Sequence, residues 1–256
     1  MKIVMIGTGN VAAVLGRKLK IAGHQVLQVF GRNKEVAASL AKELDANACN
    51  EWNAIQQHAE IYIIALSDKV LLEIDQYLQL KTQLVVHTAG SVSIEVLKNI
   101  SVNYGVFYPF QTIRKEVTLL AEIPLFIDAS NEASRQKLME FAKTISPKVS
   151  EADDQQRIQY HLCAIIVNNF SNYFYAVAEN YCNTHGMDFK NLLPLIEETA
   201  ARLRQFSPRQ VQTGPAIRND AATVEKHMAL LEGDQRLQNL YKLVTENIHL
   251  FNWQQV

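Results

Sequence analysis

Apolar and polar positions along this chain follow two regimes that meet near residue 151. Before it, short unbroken apolar runs alternate with stretches whose apolar residues recur every three or four positions. The runs at 3–6, 25–30, 59–66, 84–87, 106–108 and 123–127 read as strands buried on both faces, with 148–150 an edge strand. Helical periodicity predicts helices over about 11–22, 34–44, 70–80, 94–97 and 132–145. Val11, Val14, Leu15, Leu19 and Ala22 mark the first of these, and Gly23 stops it. Strands alternating with helices predict an α/β fold, a doubly wound parallel sheet with ligands at the carboxyl ends of its strands.

After 151 the style changes. From 153 to about 185 runs one helical pattern without Gly or Pro, longer than an ordinary globular helix. Ile158, Leu162, Ile165, Ile166, Phe170, Phe174, Val177, Ala178 and Tyr181 put apolar groups on nearly every face, which predicts burial on several sides. Further helices are expected at 189–205, 221–231 and 235–251. The chain therefore divides into an α/β domain, 1–151, and an all-helical domain, 152–256, with the long helix as its core. The roughly 70 residues after that helix are too few to cover it, so a homodimer through the helical domain is expected.

The first strand-to-helix turn carries the chemistry. Gly7-Thr8-Gly9-Asn10-Val11-Ala12 has the spacing G-x-G-x-x-A between a strand and a helix, the context of a dinucleotide fingerprint. Gly7 permits the tight turn, Gly9 leaves room for a pyrophosphate, and Ala12 lets helix and strand pack closely. The helix start then offers free amides and a positive dipole end to the phosphates. Glycines also serve turns without ligands, and a fold that has lost its cofactor is the competing reading. The second strand ends in Phe30-Gly31-Arg32-Asn33, with no acid before Glu35 to hold a ribose 2′-hydroxyl. Arg32 stands where a guanidinium clamps a 2′-phosphate, so NADP is favoured over NAD, the alternative being a solvated arginine in a turn.

Composition narrows the classes without naming a function. The 256 residues are 48% hydrophobic and 20% charged, enough for one large or two modest domains with a real core. A net charge of −1 gives no electrostatic case for nucleic acid or an anionic membrane. The first apolar run is too short for a signal peptide, and no segment reaches transmembrane length. Cys49, Cys163 and Cys182 fit neither a disulfide framework nor a zinc site, so no metal and a cytoplasmic setting with reduced thiols are expected.

Further candidates sit where strands end. Ala65-Leu66-Ser67-Asp68, His87-Thr88-Ala89-Gly90-Ser91 and Tyr108-Pro109-Phe110-Gln111-Thr112 are the loops where a nicotinamide and a substrate would lie. His87 can serve as an acid or base or simply end a strand. Asp68 reads as a helix cap, and His161 as a hydrogen-bonded core histidine. Asn168, Asn169 and Asn172 are amides on a helix expected to be buried, serving either helix packing or a substrate. Gln212 to Asp220 contains a Gly214-Pro215 turn, but Gln212, Thr213 and Arg218 exceed what a plain turn needs.

Taken together, G-T-G-N-V-A, H-T-A-G-S, G-V-F-Y-P-F-Q-T, V-N-N-F-S-N and Q-T-G-P-A-I-R-N-D resemble a bacterial family of Rossmann-like NADP oxidoreductases with a C-terminal domain of unknown function. More distantly the layout is similar to pyrroline-5-carboxylate reductase. That resemblance implies that the strand ending Tyr108-Pro109 lines the nicotinamide site, that Thr213 holds substrate, and that Asn10 and Val11 lie beside the phosphates. The 3-hydroxyisobutyrate and 6-phosphogluconate dehydrogenases are also similar in layout, but their catalytic Lys falls on Ile165 here while Asn169 keeps their Asn. An isoleucine moves no proton, so their chemistry is disfavoured. The expectation is an NADP-dependent reductase of a small imine or carbonyl compound. Tyr108, Asn169, Thr213 and His87 are its catalytic candidates; Gly7, Thr8, Gly9, Asn10, Val11, Arg32, Asn33, Ala65, Leu66, Ser67 and Thr88 hold the cofactor. The alternative is an NADP-binding sensor or scaffold without catalysis.

Overall fold

A computed structural model describes residues 1–116 and 122–251. Eight strands form one sheet in the order β3-β2-β1-β4-β5-β6-β7-β8. They are β1 Lys2–Ile6, β2 Gln25–Phe30, β3 Asn47–Cys49, β4 Ile61–Ile64, β5 Leu84–His87, β6 Tyr104–Pro109, β7 Leu125–Ala129 and β8 Val149–Glu151. The chain reverses direction in the sheet after β1, so the carboxyl ends of β1 and β4 flank the place where a ligand enters such folds. One pair departs from the all-parallel expectation: β6 and β7 are antiparallel, with Tyr108 opposite Phe126. Antiparallel neighbours need no helical crossover.

Helices α1 Asn10–Ile21, α2 Lys34–Glu43 and α4 Glu132–Lys143 cover one face, burying Leu15, Leu19, Leu40, Leu138 and Phe141 against Ile3, Met5, Ile63 and Phe107. The other face is covered thinly. The helix expected over 70–80 is only the four-residue α3, Asp68–Leu71, followed by a 3₁₀ turn at Ile74–Gln76. Leu71, Ile74, Leu78 and Leu80 are all buried in the second core, and two short turns aim them there where one straight helix would swing some outward. The stretch Ile94–Leu97 is likewise a 3₁₀ turn, capped by the Ser93 hydroxyl on the Glu95 amide at 3.2 Å. β3 was not foreseen; its three residues include only one buried side chain, Cys49, too little for an apolar run.

From Asp154 the chain is helical through Thr184: α5 Asp154–Ala164, a π turn at Ile165–Phe170, and α6 Ser171–Thr184. The sequence pattern foresaw the length but not the π turn. Burial also differs. Along this helix only Arg157 and Cys182 are buried, while Leu162 and Val167 are 60% and 71% exposed and Asn168, Asn169 and Asn172 are exposed. The single chain leaves the apolar faces uncovered, which corrects the expectation that this helix is a buried core.

Compactness divides the chain into Met1–Phe174 and Tyr175–Val256. The second unit holds the rest of α6, a 3₁₀ turn at Phe189–Leu192, α7 Leu193–Arg202, α8 Pro208–Val211, α9 Ala221–Leu230 and α10 Gln235–Leu250. Within it His227 Nδ1 pairs with the Tyr241 hydroxyl at 2.6 Å, and Gln238 donates to the Met228 carbonyl at 3.0 Å, joining α9 to α10.

Candidate functional site

The site begins at the turn after β1. Gly7 has φ +129°, and a Cβ there would run into the Ala65 carbonyl, so only glycine makes this turn. The Gly7 amide donates to the Phe30 carbonyl at 2.9 Å and the Ala65 amide to the Ile6 carbonyl at 2.7 Å, which packs three strand ends together. Gly9 caps α1 in extended conformation with nothing within 4 Å of where a Cβ would stand. No side chain caps α1, and its first turn contains no acid. A twelve-residue helix thus presents uncapped amides behind open space, which fits a dinucleotide pyrophosphate.

The neighbouring candidates fall on the same edge. Thr8 packs beneath Gly31, the residue before Arg32. Arg32 is exposed. Asn33 is partly committed: its Oδ1 accepts from the Val36 amide at 3.0 Å and caps α2. Leu66 and Ser67 follow β4, and the Thr88 amide donates to the Ile64 carbonyl at 3.1 Å, setting the β5 end beside the β4 end. Asp68 opens α3 and accepts from the Ser91 hydroxyl at 2.6 Å, tying these two loops.

His87 ends β5 fully buried, its Nδ1 accepting from the Ala89 amide at 3.2 Å. Burial, with the Arg157 guanidinium nearby, pushes its pKa down to about 4, while the Ser93 backbone, Asp154 and Asp68 oppose the shift. It is neutral at physiological pH.

The loop after β6 joins both sides of this edge. The Lys115 amide donates to Asn10 Oδ1 at 3.4 Å, and Arg17 Nη1 donates to the Lys115 carbonyl at 2.7 Å, so the loop lies along α1. At its other end, the Tyr108 hydroxyl is 3.2 Å from His161 Nδ1 on α5, and Asn168 Nδ2 in the π turn donates to Thr112 Oγ1 at 2.6 Å. His161 and Asn168, seven residues apart, present one polar face of the long helix to the β6 end. Burial raises the Tyr108 pKa above its usual value. Its ring lies against Gly90, where a Cβ would stand 2.6 Å from Tyr108 Cζ.

The structure therefore brings the fingerprint, the strand-end loops, Tyr108 and the helix segment carrying Asn169 into one compact unit, while Thr213 is an exposed residue of the other unit. Two participants escaped sequence reasoning. His161 read as a core histidine, yet it is half-buried and pairs with Tyr108. The π turn, a feature common at functional sites, left no periodic trace in I-I-V-N-N-F.

Comparison with known proteins places the chain in a family. Residues 2–90 match the family described as NADP oxidoreductase coenzyme F420-dependent, and residues 123–248 match a domain of unknown function, DUF2520. No match was found among curated proteins. A crystal structure from Bacteroides fragilis, described as a putative NADP oxidoreductase, is 37% identical over 97% of both chains with a TM-score of 0.90. A 1-pyrroline-5-carboxylate reductase from Streptococcus pyogenes shares the fold at 13% identity and TM-score 0.66, covering 98% of this chain and 99% of its own. An imine reductase from Myxococcus stipitatus, in complex with NADP⁺, does so at 16% identity and TM-score 0.61, covering 97% and 92%. The chain belongs to the NADP oxidoreductase family of the Bacteroides fragilis protein, with an N-terminal NADP oxidoreductase domain and a C-terminal DUF2520 domain.

Proposed function

We propose that the protein is an NADP-dependent reductase of a small imine or carbonyl compound. The observation that carries the reading is the uncapped, acid-free start of α1 on the same edge as a half-buried tyrosine and a polar helix face. Gly7, Thr8, Gly9, Asn10 and Val11 take the pyrophosphate, and Arg32 with Asn33 takes the 2′-phosphate. Ala65, Leu66, Ser67 and Thr88 line the remainder of the dinucleotide. Bound there, NADPH supplies hydride, and the protein's part is to orient the acceptor and manage its proton. Tyr108 and Asn169 address the substrate; Thr213, in the other unit, is a separate substrate candidate. His87, fully buried with its pKa lowered to about 4, ends β5 with Nδ1 accepting from the Ala89 amide, which suits it to shaping the β5 end more than to meeting substrate.

The long helix supports a homodimer. Ile158, Leu162, Ile166, Val167 and Phe170 are all exposed in the single chain, apolar groups that a second copy would cover. The domain split at 151/152 belongs to the same proposal: the strand domain binds the cofactor and the helical domain dimerises. The balanced charge favours a small-molecule substrate over nucleic acid or an anionic membrane surface.

The test is direct. Purified protein is titrated with NADPH and NADH by nicotinamide fluorescence, then given cyclic imines and 2-oxo acids while absorbance at the NADPH band is followed. NADPH binding with turnover of at least one compound is expected. Tight binding with no turnover across both classes would replace the reductase with a nucleotide sensor.

A further inference from the structure

We propose that Tyr108 and His161 form a proton-donating pair, in which the Tyr108 hydroxyl protonates the substrate and His161 reloads it. The proposal rests on the reductase reading above and defines its substrate class as compounds that need a proton to accept hydride.

Three segments distant in sequence build the pair. Tyr108 closes β6, Gly90 follows β5, and His161 lies in α5. The hydroxyl and Nδ1 are 3.2 Å apart. The ring fits only because residue 90 has no Cβ, since one would stand 2.8 Å from the hydroxyl oxygen. His161 is held by its helix, and that helix is anchored four residues earlier by Arg157, whose Nη1 donates to Asp128 Oδ2 at 3.2 Å and whose Nη2 donates to the Val92 carbonyl at 3.2 Å. Arg157 is thus a positioning residue for the pair. Burial raises the Tyr108 pKa, so the hydroxyl holds its proton until a partner draws it, and His161 beside it is what makes the transfer reversible. The other groups serve less well. His87 is fully buried and held by the Ala89 amide, an amide such as Asn169 is too weak an acid, and Asp128 is bound to Arg157.

The chemistry balances with solvent as the proton source. Hydride from NADPH forms the new C–H bond as the C=O or C=N π bond breaks. The Tyr108 O–H bond breaks, and its proton forms an O–H or N–H bond on the substrate. The phenolate takes the Nδ1 proton of His161 while water protonates Nε2, and proton exchange of the resulting neutral tautomer with solvent restores Nδ1–H before the next turnover. A permanently cationic iminium, alkylated on nitrogen, accepts hydride with no proton at all, so the pair is dispensable for it.

That difference is the test. Full-length protein, Tyr108→Phe, His161→Asn and Gly90→Ala are assayed with NADPH on a 2-oxo acid, a cyclic secondary imine and an N-methylated cyclic iminium. In parallel, the imidazole ¹⁵N resonances of each unliganded protein are recorded by NMR. For proton-requiring substrates, kcat should fall about a hundredfold or more in Tyr108→Phe and about tenfold in His161→Asn. Reduction of the alkylated iminium should change less than about threefold. The His161 Nδ1 resonance should move in Tyr108→Phe and in Gly90→Ala. Equal losses on all three substrates, or no loss on any, would overturn the proton role while leaving the reductase standing. An unmoved Nδ1 resonance would dissolve the pair itself. Wild-type protein that binds NADPH yet reduces none of the three would overturn the reductase reading and, with it, the catalytic role of the pair.

Discussion

Arg157 Nη1 lies 3.2 Å from Asp128 Oδ2, a contact that joins the first turn of the long helix to β7. Arg157 is fully buried, and it also pairs with Asp154 and donates to the Ala152 carbonyl at 3.0 Å. Its carboxylate partners respond in opposite ways. Burial raises the Asp128 pKa despite Arg157. Burial works in the same direction on Asp154, but the Ser93 hydroxyl, the Ile94 amide and Arg157 outweigh it, and its pKa is lowered.

Removing the guanidinium leaves both carboxylates and the Val92 carbonyl facing a cavity. Arg157→Met should cost about 3 kcal/mol, the lower end for breaking a buried pair because both carboxylates reach water. Urea unfolding followed by circular dichroism measures this. A midpoint unchanged within error would mean that the helix is held by its apolar contacts alone.

His87 makes stability depend on acid. Its pKa falls from 6.5 in the unfolded chain to about 4 in the fold, so the neutral form belongs to the native state. The stabilisation is complete above 6.5 and is lost as pH drops through 6.5 toward 4, because the unfolded chain binds the proton more readily. Two and a half pKa units correspond to at most about 3 kcal/mol. Unfolding free energies at pH 7.5 and 4.5 should therefore converge in His87→Leu more than in the wild type, after the common loss from carboxylates is subtracted. Parallel pH dependence in the two proteins would count against a buried neutral imidazole.

Much of the α/β half was legible because parallel strands buried on both faces appear as unbroken apolar runs, as in Ile61–Ile64 and Leu84–His87. The glycine turn was legible for a related reason: backbone geometry leaves a residue-type signature, and Gly7 needs its positive φ. Pairing was harder to read. That Tyr108 meets His161 depends on where a helix 53 residues later packs, which local spacing does not encode. Burial of the long helix misled for the same reason, since periodicity shows which faces are apolar and not which partner covers them.

That uncovered face gives the third prediction. If two copies cover it, an obligate interface of about 2,000 Å² or more is expected. Leu162→Glu with Val167→Glu, at positions 60% and 71% exposed in the single chain, would bury two charges there. Sedimentation at micromolar concentration should show a dimer for the wild type and a monomer for the double variant. Wild-type monomers would contradict the homodimer and leave the apolar helix in need of another partner.

Asn169 and Thr213 are the two remaining substrate candidates, and each is tested on its own. Neither lies on the glycine turn or the β2 end, so Asn169→Ala and Thr213→Ala should leave NADPH affinity within about threefold. Each removes one hydrogen bond to substrate, for a loss in kcat/KM of about tenfold. Asn169 is exposed in the single chain, so no packing within one copy depends on it, and its alanine variant should melt within a few degrees of the wild type. A large drop in melting temperature with unchanged kcat/KM would make the amide structural.

The proposed preference for NADP rests on one exposed guanidinium. Arg32 ends the segment after β2, the place where an acid would instead hold the ribose of NAD, and no acid occurs before Glu35. A planar, permanently charged group can take a phosphate through two parallel hydrogen bonds, and exposure leaves it free to do so. Arg32→Asp removes that clamp and sets a like charge against the phosphate. NADPH affinity should fall tenfold to a hundredfold, the equivalent of about 1.5–3 kcal/mol for a charge-assisted contact. NADH lacks the 2′-phosphate and has nothing to lose, so its affinity should hold or improve as the new carboxylate accepts the ribose hydroxyls. Fluorescence titration of both cofactors against both proteins gives the four constants needed. Equal weakening of NADPH and NADH would mean that Arg32 supports the β2 turn, and unchanged NADPH affinity would move the 2′-phosphate to another residue.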